Sequence, residues 1–315
     1  MTLDRKAKFN CLISVVLFLL TSSMVPMQSV HGAVDIYSSS EGAGPSVENI
    51  VQVGSYMYAF YRRTSDYRVV YRSSSDGVTW GPETVASHVA HGGATPIGGC
   101  TPFTDGTYIY ITYVEGIEST SDADATTLYT RRGTPSDGTI FWDDAVIVNQ
   151  GGGYWDTFFA KTTNRIYLAT VVLCQVDSVS DYFIHVYEST DASSWTRILE
   201  RNDHSSNKPR VAFTKDPENA DGVMIVSAWY EKANWEYDRY DSSSWGGWTD
   251  FMTKTADKYA GEVKTVTSDD GVIHMVYEDD SRNICYRYFS SGSWSSVTTL
   301  ETESGRTNDV PQLSA

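Results

Sequence analysis

The sequence predicts an all-β protein, a β-propeller built from four-stranded antiparallel blades. Five tryptophans, Trp80, Trp142, Trp195, Trp245 and Trp294, follow one another at intervals of 62, 53, 50 and 49 residues. A period near 50 residues is typical of propeller blades, solenoid coils or arrays of small domains. Each period holds four short β-prone segments, as a propeller blade does, whereas separate sandwich domains would need about seven strands and about 100 residues each. The 21 Tyr and 9 Trp residues are typical of β proteins.

Residues 1–32 are predicted to be a secretory signal peptide. Three basic residues precede an apolar segment at 11–20, whose ten residues are too few to span a bilayer comfortably. Small residues before Ala33 suit cleavage at that point, so we expect a secreted or surface-exposed mature chain without a membrane span. An uncleaved membrane anchor is the alternative.

Residues 33–315 are predicted to form a single propeller domain, with repeats at about 45–87, 98–150, 154–202, 207–254 and 259–303. In chain order, strands are predicted at 47–53, 56–61, 68–72 and 83–86; at 101–103, 108–114, 127–131 and 145–148; at 157–160, 166–172, 183–188 and 196–199; at 210–214, 223–230, 235–240 and 248–252; and at 263–267, 272–277, 284–289 and 297–300. β-Branched and aromatic residues are frequent in these segments, and Asp-Gly or Ser-Gly turns separate many of them.

Two further strand-like segments flank the repeats, at 34–37 and at 310–313. The first precedes an inner strand as an outermost strand would, and the second follows the fifth repeat as an innermost strand would. Together they supply half of a sixth blade, so we predict a six-bladed propeller whose sixth blade is incomplete. A five-bladed propeller with two tails is the alternative.

A tight turn precedes each repeating tryptophan. In three copies an Asp lies four residues before the Trp, at Asp76, Asp191 and Asp241. Ser290 takes this position before Trp294, and Asp137 lies one residue further from Trp142. An Asp side chain can accept hydrogen bonds from backbone N–H groups two residues on and so close a turn. We expect the Trp that follows to fill the space between neighbouring blades.

These turns resemble the Asp-box, or BNR, repeat of the sialidase superfamily, whose usual form is Ser-x-Asp-x-Gly-x-Thr-Trp. The copies here are one residue shorter, Ser-x-Asp-Gly-x-x-Trp at best, and the resemblance covers residues 45–303. It implies a sialidase-like propeller in which the box is a structural turn on the face opposite the active site. Catalytic members also carry three arginines for the substrate carboxylate, but the first predicted inner strand, 45–53, contains no Arg, and only Arg210 lies on such a strand. The sequence therefore leaves enzymatic activity open.

The acidic composition argues against several partners. The formal net charge of −16 becomes −18 when residues 1–32 are removed, and such a charge repels nucleic acid and anionic membranes. Three cysteines, Cys100, Cys174 and Cys285, would remain at wide spacing, and we expect small buried hydrophobes rather than a disulfide framework. No zinc, phosphate-loop or Gly-x-Ser-x-Gly motif occurs.

No cofactor is expected. The polar loop at 118–126 contains Asp122 and Asp124, whose carboxylates could hold Ca²⁺. Their spacing matches no dedicated calcium loop, so a solvated loop is the preferred interpretation.

The candidate site lies on the propeller face where second strands end and innermost strands begin. We predict Glu231, Glu278 and Asp156 as acid, base or hydroxyl-binding groups. Further ligand-binding residues are predicted at Arg62, Arg210, Glu115, Trp155 and Tyr259. Carboxylates and guanidinium groups bind hydroxyls, and aromatic rings stack against the C–H faces of sugars.

The sequence therefore predicts a propeller that binds carbohydrate or a glycoconjugate without turning it over. The first alternative is a glycoside hydrolase, exo-sialidase-like or using another carboxylate pair, and the second is a structural or adhesion domain of a surface protein. Two carboxyl groups about 5–9 Å apart would favour hydrolysis. Scattered, ion-paired carboxylates would favour binding or a structural role.

Overall fold

A computed structural model describes residues 50–302, apart from 64, 67, 89–99, 117–125, 177–178, 206, 231, 254–261, 280 and 282. The described residues form strands and turns and contain no helix, so the all-β prediction is confirmed. Among these residues, none belongs to a helix long and apolar enough to cross a membrane.

The strands form five antiparallel sheets, numbered here in chain order. Sheet 1 contains β1 (Ile50–Val53), β2 (Tyr56–Arg62), β3 (Val69–Ser74) and β4 (Thr84–Val85). Sheet 2 contains β5 (Thr101–Thr104), β6 (Ile109–Gly116), β7 (Thr126–Ser136), β8 (Thr139–Trp142) and β9 (Val146–Gln150). Sheet 3 contains β10 (Gly153–Lys161), β11 (Ile166–Val176), β12 (Val179–Ser189) and β13 (Thr196–Asn202). Sheet 4 contains β14 (Arg210–Lys215), β15 (Val223–Ala228), β16 (Asn234–Tyr240) and β17 (Thr249–Thr253). Sheet 5 contains β18 (Val263–Thr267), β19 (Ile273–Glu278), β20 (Ile284–Ser290), β21 (Ser293–Trp294) and β22 (Thr298–Glu301).

Within each sheet the strands follow one another in sequence order, and the predicted strand centres agree with those observed. Two short strands were not predicted, β8 and β21, each of which contains the repeating Trp. Both pair with the third strand of their sheet, as do β9 and β22 further along. The outermost position of sheets 2 and 5 is therefore occupied by two short strands rather than one.

The innermost strands lie side by side, with β1 next to β5, β5 next to β10, β10 next to β14, and β14 next to β18. A β-propeller consists of such four-stranded sheets, with the innermost strand of each sheet next to the innermost strand of the following one. The segments predicted to supply a sixth blade, 34–37 and 310–313, lie outside the described residues, and the blade number stays a prediction.

Four apolar cores join successive sheets. Second strands contribute to the cores on both of their faces: Ile111 of β6 lies in the core between sheets 1 and 2, and its neighbour Tyr110 in the core between sheets 2 and 3. A strand buried on both faces is apolar at nearly every position rather than alternating. This explains why β6, β11 and β15 are nearly continuous hydrophobic segments in the sequence.

The Asp turns form as predicted. Asp76 Oδ1 accepts hydrogen bonds from the N–H groups of Val78 at 2.8 Å and Thr79 at 2.7 Å. Asp241 Oδ1 accepts the corresponding bonds from Ser243 at 2.9 Å and Ser244 at 2.8 Å. These bonds stabilise the charged carboxylates and lower the pKa of each to about 2.

The five repeating tryptophans follow the predicted turns, and each of them is partly buried. The side chains of four of these tryptophans contact the sheet that precedes their own. Trp195 Nε1 donates to Thr130 Oγ1 of β7 at 2.9 Å, and Trp245 Nε1 donates to the Ile198 carbonyl of β13 at 3.0 Å. The other two make ring contacts there: Trp142 with Phe60 and Tyr71 of sheet 1, and Trp294 with Tyr237 and Phe251 of sheet 4. These four tryptophans therefore pack where neighbouring sheets meet.

Candidate functional site

The second strands end, and the innermost strands begin, at one end of each sheet, which we call the upper end. In sheet 4, Arg210 at the start of β14 pairs with Ala228 at the end of β15. In sheet 5, Val263 pairs with Tyr277, and the Glu278 N–H donates to the Glu262 carbonyl at 3.1 Å. The antiparallel register therefore places Arg210 and Glu278 at the end where the sequence predicts them.

Several predicted site residues fall outside the description. Glu231 and Tyr259 lie outside the described residues, as do Asp122 and Asp124 of the candidate calcium loop. Trp155 is part of β10, and only its backbone is described. The predicted roles of these residues stay predictions.

Charged side chains from three neighbouring sheets meet at the upper end. Asp156 of β10 forms an ion pair with Lys208, in which Oδ2 of Asp156 lies 2.8 Å from Nζ of Lys208. Arg210 of β14 contacts Glu262 through Nη1 and Oε1 at 3.0 Å. The second Glu262 oxygen lies 3.8 Å from Nζ of Lys264 on β18. Two carboxylates and three cations thus alternate across the starts of β10, β14 and β18, and we call these five residues the upper ionic cluster.

The upper ionic cluster lines a small cleft. Its apolar wall consists of Phe158, Val211 and Val263. The Lys264 ammonium lies 6.0 Å from the centre of the Phe158 ring, within the range of a cation–π contact. The enclosed space is about 30 Å³, room for one or two water molecules and far below the several hundred Å³ of a typical ligand pocket. A sugar could therefore rest across the mouth of this cleft but not inside it.

Sequence reasoning did not identify the Lys208 and Lys264 ammonium groups or the Phe158 ring as parts of this cleft. A sequence pattern could have identified them. At the starts of β10, β14 and β18, two cleft side chains lie two residues apart. The pairs are Asp156 and Phe158, Lys208 and Arg210, and Glu262 and Lys264. Side chains two residues apart on a strand share one face, so each pair projects to the same side.

The predicted residues Arg62 and Glu115 belong to sheets 1 and 2, whereas the upper ionic cluster belongs to sheets 3, 4 and 5. Arg62 ends β2 beside Cys100, and burial lowers the pKa of its guanidinium. Glu115 Oε1 lies 3.5 Å from His88 Nδ1, and the same nitrogen is 2.7 Å from the Tyr113 hydroxyl. The predicted site is therefore divided between two groups of sheets.

The environment of His88 favours its neutral form. Burial lowers its pKa, and Arg131 nearby acts in the same direction. Burial and the Glu115 carboxylate raise the pKa of Tyr113, whose side chain is only 1% exposed. Tyr113 is thus a buried hydrogen-bonding partner of His88.

Glu278 is 6% exposed, the least exposed of the predicted carboxylates that the structure describes. Burial disfavours a charged carboxylate unless donors or cations surround it. No group of three or more His, Cys, Asp or Glu side chains in the described part of the chain has an arrangement that could hold a metal ion.

No protein-family model matches this sequence, and no curated protein matches it. The fold is similar to solved structures of glycoside-processing enzymes. Trypanosoma rangeli sialidase in complex with 2,3-difluoro-KDN superposes with a TM-score of 0.53 at 14% identity, covering 76% of this chain and 45% of that chain. Penicillium chrysogenum alpha-L-arabinanase complexed with arabinobiose gives a TM-score of 0.51 at 12% identity, covering 82% of this chain and 81% of that chain. The chain thus spans less than half of the sialidase, and at these identities the similarity establishes a sialidase-like propeller fold alone.

Proposed function

We propose that this protein is a secreted or surface β-propeller that binds carbohydrate at its upper end without turning it over. The upper ionic cluster is the observation that carries the proposal. It presents carboxylate acceptors and ammonium and guanidinium donors in alternation beside the Phe158 ring. Sugar hydroxyls act as donors and acceptors together, and sugar C–H faces pack on aromatic rings, so this lining suits a hydroxyl-rich ligand.

The ion pairs support binding rather than hydrolysis. A glycosidase needs two carboxyl groups placed on either side of the scissile bond, one as acid and one as base or nucleophile. Asp156 and Glu262 are each engaged by a cation, which suits them to hold a ligand in place. The predicted signal peptide at 1–32 supports secretion, and the folds of the sialidase and the arabinanase support carbohydrate as the ligand class.

The glycoside hydrolase alternative rests on Glu278. Its side chain is buried at the upper end, and its backbone N–H contacts the Glu262 carbonyl. A glycosidase uses a pair of carboxyl groups, one of them as the general acid, and Glu278 would be one of this pair. The second carboxyl group of such a pair would be Glu231.

The test is a glycan array run beside a panel of fluorogenic glycosides that includes a sialoside. We expect the full chain to bind a subset of glycans and to release no fluorophore. Arg210→Gln removes a charged donor from the cluster and should weaken binding about tenfold or more, since a hydrogen bond to a charged group contributes about 1.5–3 kcal/mol.

The matched control is Arg165→Gln. Arg165 makes the same kind of Arg–Glu ion pair, with Glu188, but lies before β11 at the opposite end of sheet 3. The Arg165→Gln variant should therefore bind glycans as the unmodified chain does. Absence of any glycan binding by the full chain would instead support the structural or adhesion alternative, and fluorophore release would support the hydrolase.

A further inference from the structure

The connection from β13 to β14 is held against sheet 3 at the upper end. It follows the outermost strand of sheet 3 and contains Lys208 of the upper ionic cluster. The Tyr182 N–H, near the start of β12, donates to the Ser205 carbonyl at 3.0 Å. Ser205 is fully buried, and its hydroxyl donates to the Asn207 carbonyl at 2.7 Å and accepts from the Asn207 N–H at 3.1 Å. The backbone of this connection is therefore fixed to sheet 3 at Ser205.

His204 lies on this connection in an uncommon backbone conformation. Its φ is 52°, in the left-handed region where non-glycine residues are rare and where Asn, Asp and His are enriched. The His204 N–H donates to Asn202 Oδ1 at 2.6 Å, whereas its side chain is 83% exposed. Residues held in such conformations cluster at ligand-binding and active sites. A fixed backbone and an exposed imidazole make His204 a candidate ligand contact.

A buried carboxylate orients the His204 ring. Asp181 of β12 is 6% exposed, and its Oδ2 lies 3.2 Å from His204 Nδ1. The same oxygen accepts a hydrogen bond from the Asn202 amide at 3.3 Å. Because an ionised carboxylate only accepts hydrogen bonds, Nδ1 of the neutral ring carries the proton and Nε2 is the acceptor. His204 Nε2 can therefore accept a hydrogen bond from a sugar hydroxyl.

The strand order of sheet 3 separates the Asp181–His204 pair from the cleft. Asp156 lies on the innermost strand of this sheet and Asp181 on its third strand, and two strand spacings amount to about 10 Å. The Cα atoms of His204 and Lys208 are four residues apart along the chain, a separation of at most about 14 Å. The imidazole and the upper ionic cluster are thus two neighbouring contact points at the upper end, spaced for successive units of one sugar chain.

We infer that the ligand is an oligosaccharide of at least two units, one resting on the cleft and another held by His204. This inference rests on the proposed function, in which the upper ionic cluster binds sugar. The cleft encloses only about 30 Å³, so a sugar lies across its mouth and its chain continues over the protein surface. Towards the outermost strand of sheet 3, that chain meets His204 Nε2. His204 therefore determines specificity for chain length, and Asp181 is a positioning residue.

Affinity measured against oligosaccharide length tests this inference. The probes are arabino-oligosaccharides, xylo-oligosaccharides, oligogalacturonides and α2,8-linked sialic acid oligomers, each of one to six units, titrated into the full chain by calorimetry. In the series that the unmodified chain recognises, we expect the trimer to bind at least tenfold more tightly than the monosaccharide. His204→Asn should remove this gain and leave monosaccharide affinity unchanged, because Asn adopts the left-handed backbone but is too short to reach the position of Nε2.

Three further variants separate ligand contact from a structural role. His204→Gln should restore most of the gain, because the longer amide reaches the position of Nε2. Asp181→Asn should reduce the gain several-fold without changing monosaccharide affinity, because the ring is less firmly oriented. The matched control is His274→Asn: His274 Nδ1 is held 2.7 Å from the Tyr286 hydroxyl, but near the start of β19, at the opposite end of sheet 5. This control should bind every probe as the unmodified chain does.

Equal affinity of the unmodified chain for all lengths, or a His204→Asn variant that keeps the gain, overturns the inference and leaves the proposed function intact. Equal losses at every length in His204→Asn, together with a lower melting temperature, also overturn it, because His204 would then have a structural role. Absence of binding to every probe, monosaccharides included, contradicts the proposed function and this inference with it.

Discussion

The Arg201 guanidinium stacks on the Trp248 ring, with its central carbon 3.6 Å from the ring centre. Arg201 ends the outermost strand of sheet 3, whereas Trp248 precedes the outermost strand of sheet 4. The same guanidinium contacts Asp203 and Glu236, each at 2.6 Å, through Nη2. Lys232 joins both carboxylates at 3.2 Å. An ionic and aromatic contact therefore joins sheets 3 and 4 beside their apolar core.

Replacing Arg201 should destabilise the protein strongly. The side chain is 8% exposed, so Arg201→Met leaves Lys232 as the one remaining cation, among the described residues, paired with the buried Glu236 carboxylate and the partly buried Asp203 carboxylate. Breaking one partner of a buried ion pair costs about 3–5 kcal/mol, and we expect about 3 kcal/mol in the free energy of unfolding by urea.

Arg132→Met is the control for this measurement. Arg132 pairs with Asp143 at 2.7 Å, but their side chains are 34% and 51% exposed, and exposed pairs contribute about 0–1 kcal/mol. Equal losses in the two variants would contradict a special role for the Arg201 contact.

Trp195→Ala should lower the free energy of unfolding by about 3 kcal/mol, the lower limit for a large aromatic residue, because the ring is only half-buried. Trp195→Phe keeps most of the ring contact and removes only the hydrogen bond to Thr130, so it should cost about 1 kcal/mol. Chemical denaturation of the two variants separates packing from hydrogen bonding. If Trp195→Phe lowers the free energy of unfolding as much as Trp195→Ala does, the hydrogen bond contributes more than the packing of the ring.

Lowering the pH should destabilise the fold through His185. Burial, and to a smaller degree Arg197, lowers the pKa of His185 from 6.5 to about 4 in the folded state. The unfolded state therefore takes up a proton first as the pH falls below about 6.5, and this contribution to stability is lost progressively until about pH 4. A difference of this size corresponds to about 3 kcal/mol.

His185→Gln should remove that component of the pH dependence between pH 6.5 and 4. His204→Gln serves as the control, because the His204 side chain is 83% exposed. Thermal melting points measured across this pH range give the comparison. If His185→Gln melts with the same pH dependence as the unmodified chain, the loss of stability at low pH does not come from His185.

The double variant Glu231→Gln with Glu278→Gln separates the binding proposal from the hydrolase alternative. We expect weaker glycan binding, because two hydroxyl acceptors lose their charge, and no change in glycoside cleavage, because the binding proposal predicts none for the unmodified chain. Fluorogenic glycoside assays beside the glycan array provide both measurements. Cleavage by the unmodified chain that disappears in the variant while binding persists would contradict the binding proposal.

Local chemistry determined the repeat and the strands. The Asp-to-Trp spacing of four residues is a local property, since Asp76 Oδ1 accepts hydrogen bonds from the Ser74 hydroxyl and from the N–H groups two and three residues on, and Asp favours such turns through these local bonds. The nearly continuous apolar segments of β6 and β15 likewise follow from burial on both faces. The sequence therefore determined the fold class, the strand centres and the upper-end position of Arg210 and Glu278.

Only the tertiary structure decided which charges meet. Lys208 and Asp156 are 2.8 Å apart although 52 residues separate them, and their contact depends on how β10 and β14 lie beside each other. Arg62 and Glu115 share the sequence signature of the upper end, yet they belong to other sheets than the cleft. The burial of the repeating tryptophans was also a tertiary property, because it depends on how closely neighbouring sheets approach. Side-chain pairing across sheets is set by packing angles and distances, which no periodicity in one sequence specifies.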